Sequence, residues 1–162
     1  MFNRYIAQEN DYDCSPTALI NARQFVRYNK LGYNTIAADM LCKTDSEGTS
    51  DEDLEFAVKT WNLKPINARF IPIGSPLVKN FIEAGRGVIL GHREIWEDEP
   101  DWHHSFWFKC IKIFKWKFYI GANVVAGTRW SFVGEKYFDR ICTEGDEDGP
   151  VLAMIIPKPK EK

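Results

Sequence analysis

The sequence has no apolar run long enough to cross a bilayer, no signal-peptide core and almost no excess of one charge. A membrane-spanning helix needs about 18 to 20 consecutive apolar residues, and the opening MFNRYIAQEND does not begin a segment of that kind. The formal net charge is −2, so no overall field attracts the chain to nucleic acid or to anionic lipid. We therefore expect a cytoplasmic protein that binds neither nucleic acid nor membrane.

Cysteine is scarce, and its four positions are far apart: Cys14, Cys42, Cys110 and Cys142. They form no C-x-x-C pair and no Cys/His spacing typical of a zinc site. Thiols also stay reduced in the cytosol, so we expect no disulfide, no metal and no cofactor. Each cysteine has to be interpreted by itself, and a small buried hydrophobe is the default for each.

The chain does have enough apolar material for one core. Its 162 residues are 44% hydrophobic and 14% aromatic, with six tryptophans, which is typical of one ordered domain. We predict a single domain over residues 1–157, with a helical part at about 1–85 and a sheet part at about 86–157. Residues 158–162 are predicted to be a solvated tail.

Four stretches in the first half have helix-start residues followed by apolar residues at helical spacing. In the second of them we expect Ile36, Met40 and Leu41 to face inward. The predicted helices open at Ser15-Pro16, span Thr35–Cys42, open at Ser50, and run from Ser75-Pro76 to Gly85.

The second half changes to short apolar or alternating runs that favour antiparallel strands. Helices followed by such a sheet predict an α+β fold, and a groove between the two parts is where a site is expected. The predicted strands are Gly87–Gly91, His104–Phe114, Lys117–Ala122 and Val151–Ile156.

Cys14 stands immediately before the first predicted helix and is our candidate nucleophile. Backbone N–H groups at a helix start stabilise a thiolate and any oxyanion formed beside it. Gln8, on the incoming loop, has an amide that can act as a second oxyanion donor. Taken alone, Cys14 is more often a buried structural cysteine, and Asp11 and Asp13 would raise its pKa if they lay close.

Two adjacent histidines open the long second strand and point to opposite faces of it. His104 shares its face with Phe106, Phe108 and Cys110, so we assign His104 as the base, with His103 as the alternative. A lone histidine in such a place is commonly structural, and His92 is interpreted in that way.

Asn123 ends the next strand and is our candidate for fixing the tautomer of the catalytic imidazole. A hairpin places this strand beside the histidine strand, so the Asn123 side chain could accept the imidazole N–H. The alternative is an ordinary turn asparagine at a strand end.

This order of residues resembles the papain-like cysteine peptidases, most closely small bacterial members related to the C39 bacteriocin-processing peptidases. Those proteins carry a Gln and then an Asp-Cys-Gly/Ser-Pro-x-x-Leu-like stretch, matched by Gln8 and Asp13–Leu19. A Gly-Thr-x-x-x-x-Leu helix start is matched by Gly48–Leu54. Their His opens a strand and an Asp or Asn closes the following one, matched by His104 and Asn123.

The resemblance spans roughly residues 5–140 and implies a papain-like fold, with the catalytic cysteine on a helix start packed on an antiparallel sheet. A polar insertion, Arg93–His103, precedes the histidine, and Asn123-Val124 stands where relatives have Asp-Pro. No transporter domain or second domain is recognised. As a hypothesis, the acidic and aromatic Glu94–Trp102 segment overhangs the groove and favours a basic or extended peptide.

The resemblance implies acyl transfer, in which the Cys14 thiolate attacks an amide carbonyl and His104 protonates the leaving amine. We predict a cysteine peptidase or related amidase acting on a peptide or isopeptide bond of a peptide or protein substrate, and family habit suits a bacterium or a bacteriophage. An inactive papain-like module that binds a peptide or partner protein is the alternative. A metal enzyme built on the histidines and Cys110 is the least favoured.

Overall fold

The computed structural model describes residues 4–27, 35–46, 48–93, 102–125, 127–144 and 151–159. These ranges contain five helices and six strands. Helices and strands are mixed along the chain more than in the predicted order, which has helices first and strands afterwards. In chain order they are α1 (Cys14–Arg27), α2 (Thr35–Cys42), α3 (Asp51–Thr60), β1 (Ile71–Pro72), α4 (Ser75–Glu83), β2 (Gly87–Arg93), β3 (Trp102–Ile113), β4 (Trp116–Ala122), β5 (Ser131–Gly134), α5 (Glu135–Glu144) and β6 (Leu152–Ile156).

The strands form one antiparallel sheet of six in the order β1-β6-β2-β3-β4-β5. The neighbouring strands β2 and β3 occupy its centre, and β3 begins with the two adjacent histidines. The predicted α+β fold is therefore confirmed, and the four predicted strands all exist.

Both faces of this sheet are buried. Ile89 and Phe106 belong to a cluster with residues of α1 and α3, whereas Val88, Leu90 and Trp107 belong to a second cluster with residues of α4 and α5. Since successive strand residues face opposite sides, a strand covered on both faces reads as an unbroken apolar run. This explains the sequence of β2 and places α4 and α5 behind the sheet, opposite α1.

The bounds of α2 agree with the prediction, but the predicted inward face is wrong at two positions. Ile36 and Met40 are 71% and 75% exposed, while Ala38 and Cys42 are fully buried. Ala38 and Cys42 are four residues apart and lie on one helix face. Their small side chains let α2 approach α1 and α3 closely, which a face of large residues would prevent.

The first helix begins earlier than predicted. The N–H of Thr17 donates to the carbonyl of Asp13 (3.0 Å), so Cys14 lies inside the first turn and Ser15 is not the capping residue. The Ser15 side chain is fully buried and is used elsewhere. Cys14 thus stands closer to the free N–H groups of the helix start than the sequence suggested.

Strand β3 contains a bulge between Trp107 and Lys109 that shifts its pairing with β4. A bulge inserts one extra residue and reverses the alternation of faces beyond it. Cys110 was expected on the face of His104, but it packs against the opposite cluster, which includes Tyr119. That expectation was wrong because the alternation was extended through the bulge.

Three elements were missed, namely β1, β5 and α5. The first is only two residues long, and α5 presents few apolar residues, of which Phe138 and Ile141 are buried at helical spacing. None of the described helices is long and apolar enough to cross a membrane. Of the predicted insertion and tail, residues 94–101 and 160–162 lie outside the described residues.

Gly121 gives a direct test of the packing behind the site. A Cβ added there would lie 2.5 Å from Cγ2 of Val124 and 2.9 Å from the Trp107 ring, both fully buried. We expect Gly121→Ala to lower the free energy of unfolding by about 1 to 3 kcal/mol, as overpacking does. Urea denaturation measures this, and Gly134→Ala is the control because its added Cβ meets no atom within 4 Å. Equal stability of the two variants would contradict the packing.

Candidate active site

Three chain segments meet around the Cys14 thiol. The first turn of α1 carries Cys14, the first residues of β3 carry His103 and His104, and the first turn of α3 carries Asp51. Two of the three are helix starts, where the free N–H groups favour negative charge. The imidazoles of β3 therefore lie between one anionic side chain and a thiol that is readily ionised.

His104 is held at both ring nitrogens. Its Nδ1 lies 2.9 Å from Oγ of Ser15, and its Nε2 lies 2.9 Å from Oδ1 of Asp51. Ser15 Oγ is itself 3.8 Å from Cys14 Sγ, so the hydroxyl bridges the imidazole and the thiol. With 1% of its surface exposed, the His104 imidazole has a fixed orientation.

Aromatic rings and a glycine shape the space around His104. The centroids of Phe70 and Trp102 lie 5.5 and 6.3 Å from that of the imidazole. Gly91 pairs with His104 across β2 and β3, and a Cβ there would lie 2.7 Å from the Trp102 ring and 3.3 Å from His104 Nε2. Only a glycine leaves room for both side chains at this point.

The charges of Cys14 and His104 are coupled. Burial raises the pKa of the Cys14 thiol. Hydrogen bonds to His103 and His104, together with the charges of both imidazoles, outweigh burial, so this pKa lies well below its ordinary value. Burial lowers the pKa of His104, but hydrogen bonds to Asp51 and Cys14 outweigh burial and raise this pKa to about 9. Both shifts favour a thiolate and an imidazolium over the neutral thiol and imidazole.

Cys14 differs in this respect from two other buried cysteines of the chain. Burial raises the pKa of the Cys42 thiol to about 12, and it does the same for the Cys142 thiol. Neither has an imidazole among the groups that shift its pKa. These two thiols are structural, as a buried cysteine usually is.

His103 has a different partner. Its Nε2 lies 2.6 Å from the backbone carbonyl of Asn123, so Nε2 carries the hydrogen. Its neighbour His92 lies between Ser105 Oγ and the carbonyl of Arg93. Burial lowers the pKa of His92 to about 3.

Gln8 and Asn123 bind each other rather than the His104 imidazole. The Asn123 side chain accepts from the Gln8 backbone N–H (3.0 Å) and donates to Gln8 Oε1 (2.7 Å). Gln8 Nε2 donates to the carbonyl of Asn10 at 2.9 Å. An amide nitrogen has two hydrogens, and this contact uses one of them.

The structure thus brings Cys14 and His104 together and puts Gln8 and Asn123 nearby. The side chain that contacts His104 Nε2 is that of Asp51, whereas Asn123 contacts Gln8 and, through its carbonyl, His103. Asp51 was not identified because it stands in an acidic first turn with Glu52 and Asp53, where any carboxylate favours the helix. Nothing in the sequence shows which of these three carboxylates contacts an imidazole. Ser15 was missed because a serine before a proline was assigned to capping.

A pocket of about 350 Å³ opens on this site. Cys14, His104 and Trp102 line it, together with Asp11 and Tyr12 of the loop before α1. Its remaining lining residues are Ser46, Gly48 and Thr49. Among the described residues, no group of three or more His, Cys, Asp or Glu side chains is arranged to hold a metal ion.

Fold and site together define an α+β domain in which a cysteine at a helix start faces histidines on an antiparallel sheet. No family model matches the sequence, and no curated protein does. Among solved structures, the chain is similar to the peptidase domain of ComA from Streptococcus, described as a bi-functional ABC transporter involved in a quorum sensing pathway. The TM-score is 0.67, over 96% of this chain and 100% of that one. This confirms the resemblance at the level of the fold alone, since the identity is 14%.

The ion pair between His104 and Asp51 predicts a pH dependence. We expect Asp51→Asn to lower the pKa of His104 from about 9 toward its ordinary value of about 6.5, because the carboxylate charge at Nε2 is lost. An NMR titration of the His104 Cε1–H measures this pKa. Since the folded-state pKa is the raised one, the stabilisation is fully present below about pH 6.5 and is lost as the pH rises through 9.

The control for this titration is Glu52→Gln, which neutralises the neighbouring exposed carboxylate of the same helix turn. We expect it to leave the titration of His104 unaltered. An Asp51→Asn protein whose His104 still titrates near pH 9 would show that the charge comes from another group.

Proposed function

We propose that this protein is a cysteine peptidase that cleaves an amide bond of a peptide or protein substrate through Cys14. The observation that carries the proposal is the Cys14 thiol, which lies at the start of α1 beside two imidazoles that lower its pKa. A structural cysteine gains nothing from such an arrangement, whereas a nucleophile needs it. The fold shared with a peptidase domain supports the same interpretation.

Attack begins from the ion pair. The Cys14 thiolate adds to the carbonyl carbon of an amide in the pocket, which forms a C–S bond and moves an electron pair onto the carbonyl oxygen. The N–H groups of the first turn of α1, including that of Cys14, point toward this oxyanion. The second hydrogen of Gln8 Nε2 can supply a further donor, and Asn123 holds the Gln8 amide in place.

The leaving amine then needs a proton. We assign its transfer to His104, because this imidazole lines the pocket together with Cys14 and its raised pKa keeps it protonated near neutral pH. Asp51 stabilises the imidazolium and fixes its orientation. Water attacks the resulting thioester with His104 as base, and the acid product and the thiolate are released.

His103 is the competing proton carrier. Its Nε2–H is held by the Asn123 carbonyl, which leaves Nδ1 as the nitrogen that could accept a proton from the thiol. His104 lines the pocket of Cys14 and His103 is not among its lining residues, which favours His104 as the imidazole that reaches a leaving amine there. We therefore assign to His103 a share in lowering the pKa of the thiol and to His104 the transfer of the proton.

Alkylation of the thiol tests the proposed nucleophile. We expect iodoacetamide to modify Cys14 with an apparent pKa well below the free value of about 8.5, and Cys14→Ala to abolish modification below pH 8. Rates measured by mass spectrometry between pH 4 and 10 give this pKa. An ordinary, slow Cys14 that is indifferent to both histidines would favour the alternative, a fold that binds a peptide or partner without turnover.

A peptide probe tests the assignment of the proton carrier. A blocked dipeptidyl acyloxymethyl ketone alkylates a thiolate only when its peptide part is bound beside it. We expect His104→Ala to slow labelling by about 10² to 10⁴-fold, the range of general acid–base catalysis, and His103→Ala to slow it less. The reverse order would assign the proton transfer to His103. Circular dichroism of each variant controls for folding.

A further inference from the structure

The hairpin formed by β3 and β4 extends beyond the rest of the sheet, at the end remote from the proposed active site. Strand β2 pairs with β3 only as far as Trp107, and β5 pairs with β4 only from Phe118 onward. Beyond these residues β3 and β4 pair with each other alone, down to the pair formed by Ile113 and Trp116. We call residues 112–116 the hairpin tip. At about 3.3 Å per strand residue, the tip lies about 30 Å from the histidines that open β3.

The hairpin tip exposes large apolar side chains. Phe114 is 91% exposed, Trp116 is 58% exposed and Ile113 is 45% exposed. Ile113 and Trp116 lie opposite each other on one face of the hairpin. On the same face Phe118 stacks on Phe132, with ring centroids 4.6 Å apart. Single apolar residues are normal on a surface, but a contiguous group of them at one projection marks an interaction site.

The tip also has features that cost stability and that the fold does not require. Phe114 has a φ of 52°, in the left-handed region that a large side chain rarely adopts and that glycine or asparagine adopts at lower cost. Lys112 and Lys117 stand directly opposite each other across β3 and β4, where like charges repel. Departures from locally favourable sequence are expected at functional sites. An exposed ring in this conformation therefore points to a contact that the tip makes outside its own fold.

The charge at the tip is positive. Lys112 and Lys115 are exposed, and neither takes part in an ion pair within the described ranges. The ammonium group of Lys115 lies 5.4 Å from the centroid of the Trp116 ring. Lys117, the next lysine along the chain, lies 2.9 Å from each carboxylate oxygen of Glu83, so its charge is compensated. Two uncompensated cations beside three apolar side chains are complementary to an apolar layer covered by anions.

These features favour a lipid bilayer over a second copy of the chain. In a symmetric dimer the same surface faces itself, which would bring the uncompensated lysines of two copies together. A projecting two-stranded tip is convex, so a rigid partner would need a matching cavity, whereas a fluid bilayer closes around an inserted side chain. Aromatic side chains with lysines beside them are typical of the boundary between lipid headgroups and hydrocarbon.

We propose that the hairpin tip binds the surface of an anionic membrane, with its three apolar side chains inserted among the headgroups and its two lysines against the anionic groups. This inference goes beyond the proposed function and does not depend on it. The expectation that the chain binds no membrane was based on the net charge of −2, which describes the whole chain and not this surface. Because the proposed active site lies at the other end of β3, a bound tip leaves its pocket open.

Co-sedimentation of the full chain with vesicles tests the proposal. Vesicles of equal parts phosphatidylcholine and phosphatidylglycerol are compared with vesicles of phosphatidylcholine alone. A single apolar anchor gives reversible binding with a constant of about 10⁴ M⁻¹, so we expect half of the protein to be bound at about 0.1 mM anionic lipid. Binding to the neutral vesicles should be much weaker. Added salt should weaken binding to the anionic vesicles, because it screens the lysines.

Phe114→Asn separates binding from folding. Asparagine tolerates the left-handed conformation better than phenylalanine does, so this variant should be at least as stable as the wild type in urea denaturation. The same change removes an inserted ring, and we expect it to weaken vesicle binding about 10 to 100-fold, as the loss of one buried aromatic side chain does. The matched control is Phe56→Asn, because Phe56 is 56% exposed but lies on α3.

The lysines are tested by neutral variants. Lys112→Gln and Lys115→Gln should each weaken binding to the anionic vesicles about five-fold, the effect of one cation close to an anionic surface. Neither change should alter the weak binding to phosphatidylcholine alone. Lys59→Gln is the control, because Lys59 is an exposed lysine in the last turn of α3, outside the hairpin tip.

Three results would overturn the proposal. The first is no binding to the anionic vesicles at about 1 mM lipid, ten times the expected midpoint. The second is equal binding by Phe114→Asn and the wild type, since the contact would then lie elsewhere. The third is a dimer in sedimentation velocity that Phe114→Asn dissociates, without vesicle binding, which would make a second copy the partner of the tip.

The proposed function is tested separately. Cys14→Ala should bind the vesicles as the wild type does, because the thiol lies far from the hairpin tip. A protein that binds no vesicles can still carry a reactive Cys14, and the peptidase assignment then stands without the membrane site. An unreactive Cys14 in a protein that binds anionic vesicles through its tip would remove the peptidase assignment alone.

Discussion

The site depends on a clamp between two residues that are 115 positions apart, Gln8 and Asn123. Asn123 is fully buried at the end of β4 and has a φ of 53°, a left-handed conformation that asparagine tolerates better than most residues. Its side chain makes two hydrogen bonds to Gln8, and its carbonyl accepts from His103. The clamp thereby fixes the loop before α1 against the sheet, which sets Cys14 beside β3. Without it, three buried polar groups would lose their partners at once.

Once Cys14 and His104 are in place, their burial makes the site one electrostatic unit. Cys14 is 7% exposed and His104 is 1% exposed, so neither charge is stabilised by bulk water. An isolated charge at such a depth would be neutralised by a shift of its pKa. Here the imidazolium lies between the thiolate and the Asp51 carboxylate. Each charge stabilises the opposite charge beside it. Removing any one of the three leaves the other two poorly compensated.

The sequence predicted what depends on local chemistry and failed where tertiary contacts decide. A polar loop, a cysteine and a helix start in succession are local signals, and they located Cys14. The predicted start of one strand and end of the next placed His104 and Asn123 at one edge of the sheet. The alternation of side chains along a strand predicts the face on which a residue lies, but not the residue that it contacts. Asp51 and Ser15 have the same chemistry as ordinary helix-start residues. Only the tertiary contacts that α1 and α3 make with the start of β3 show that Ser15 and Asp51 both reach an imidazole.

The two adjacent histidines show how one strand can give the same side chain two environments. Alternation puts His103 on the face of His92 and Ser105, where a carbonyl holds its Nε2–H. The same alternation puts His104 on the face of α1, where a carboxylate and a hydroxyl hold its nitrogens. A carbonyl fixes a tautomer without adding charge, whereas a carboxylate favours the imidazolium. Under the proposed function, a leaving amine needs a charged proton donor that it can reach, and the environment of His104 favours the charged form. The environment of His103 instead connects its ring to the clamp through the Asn123 carbonyl.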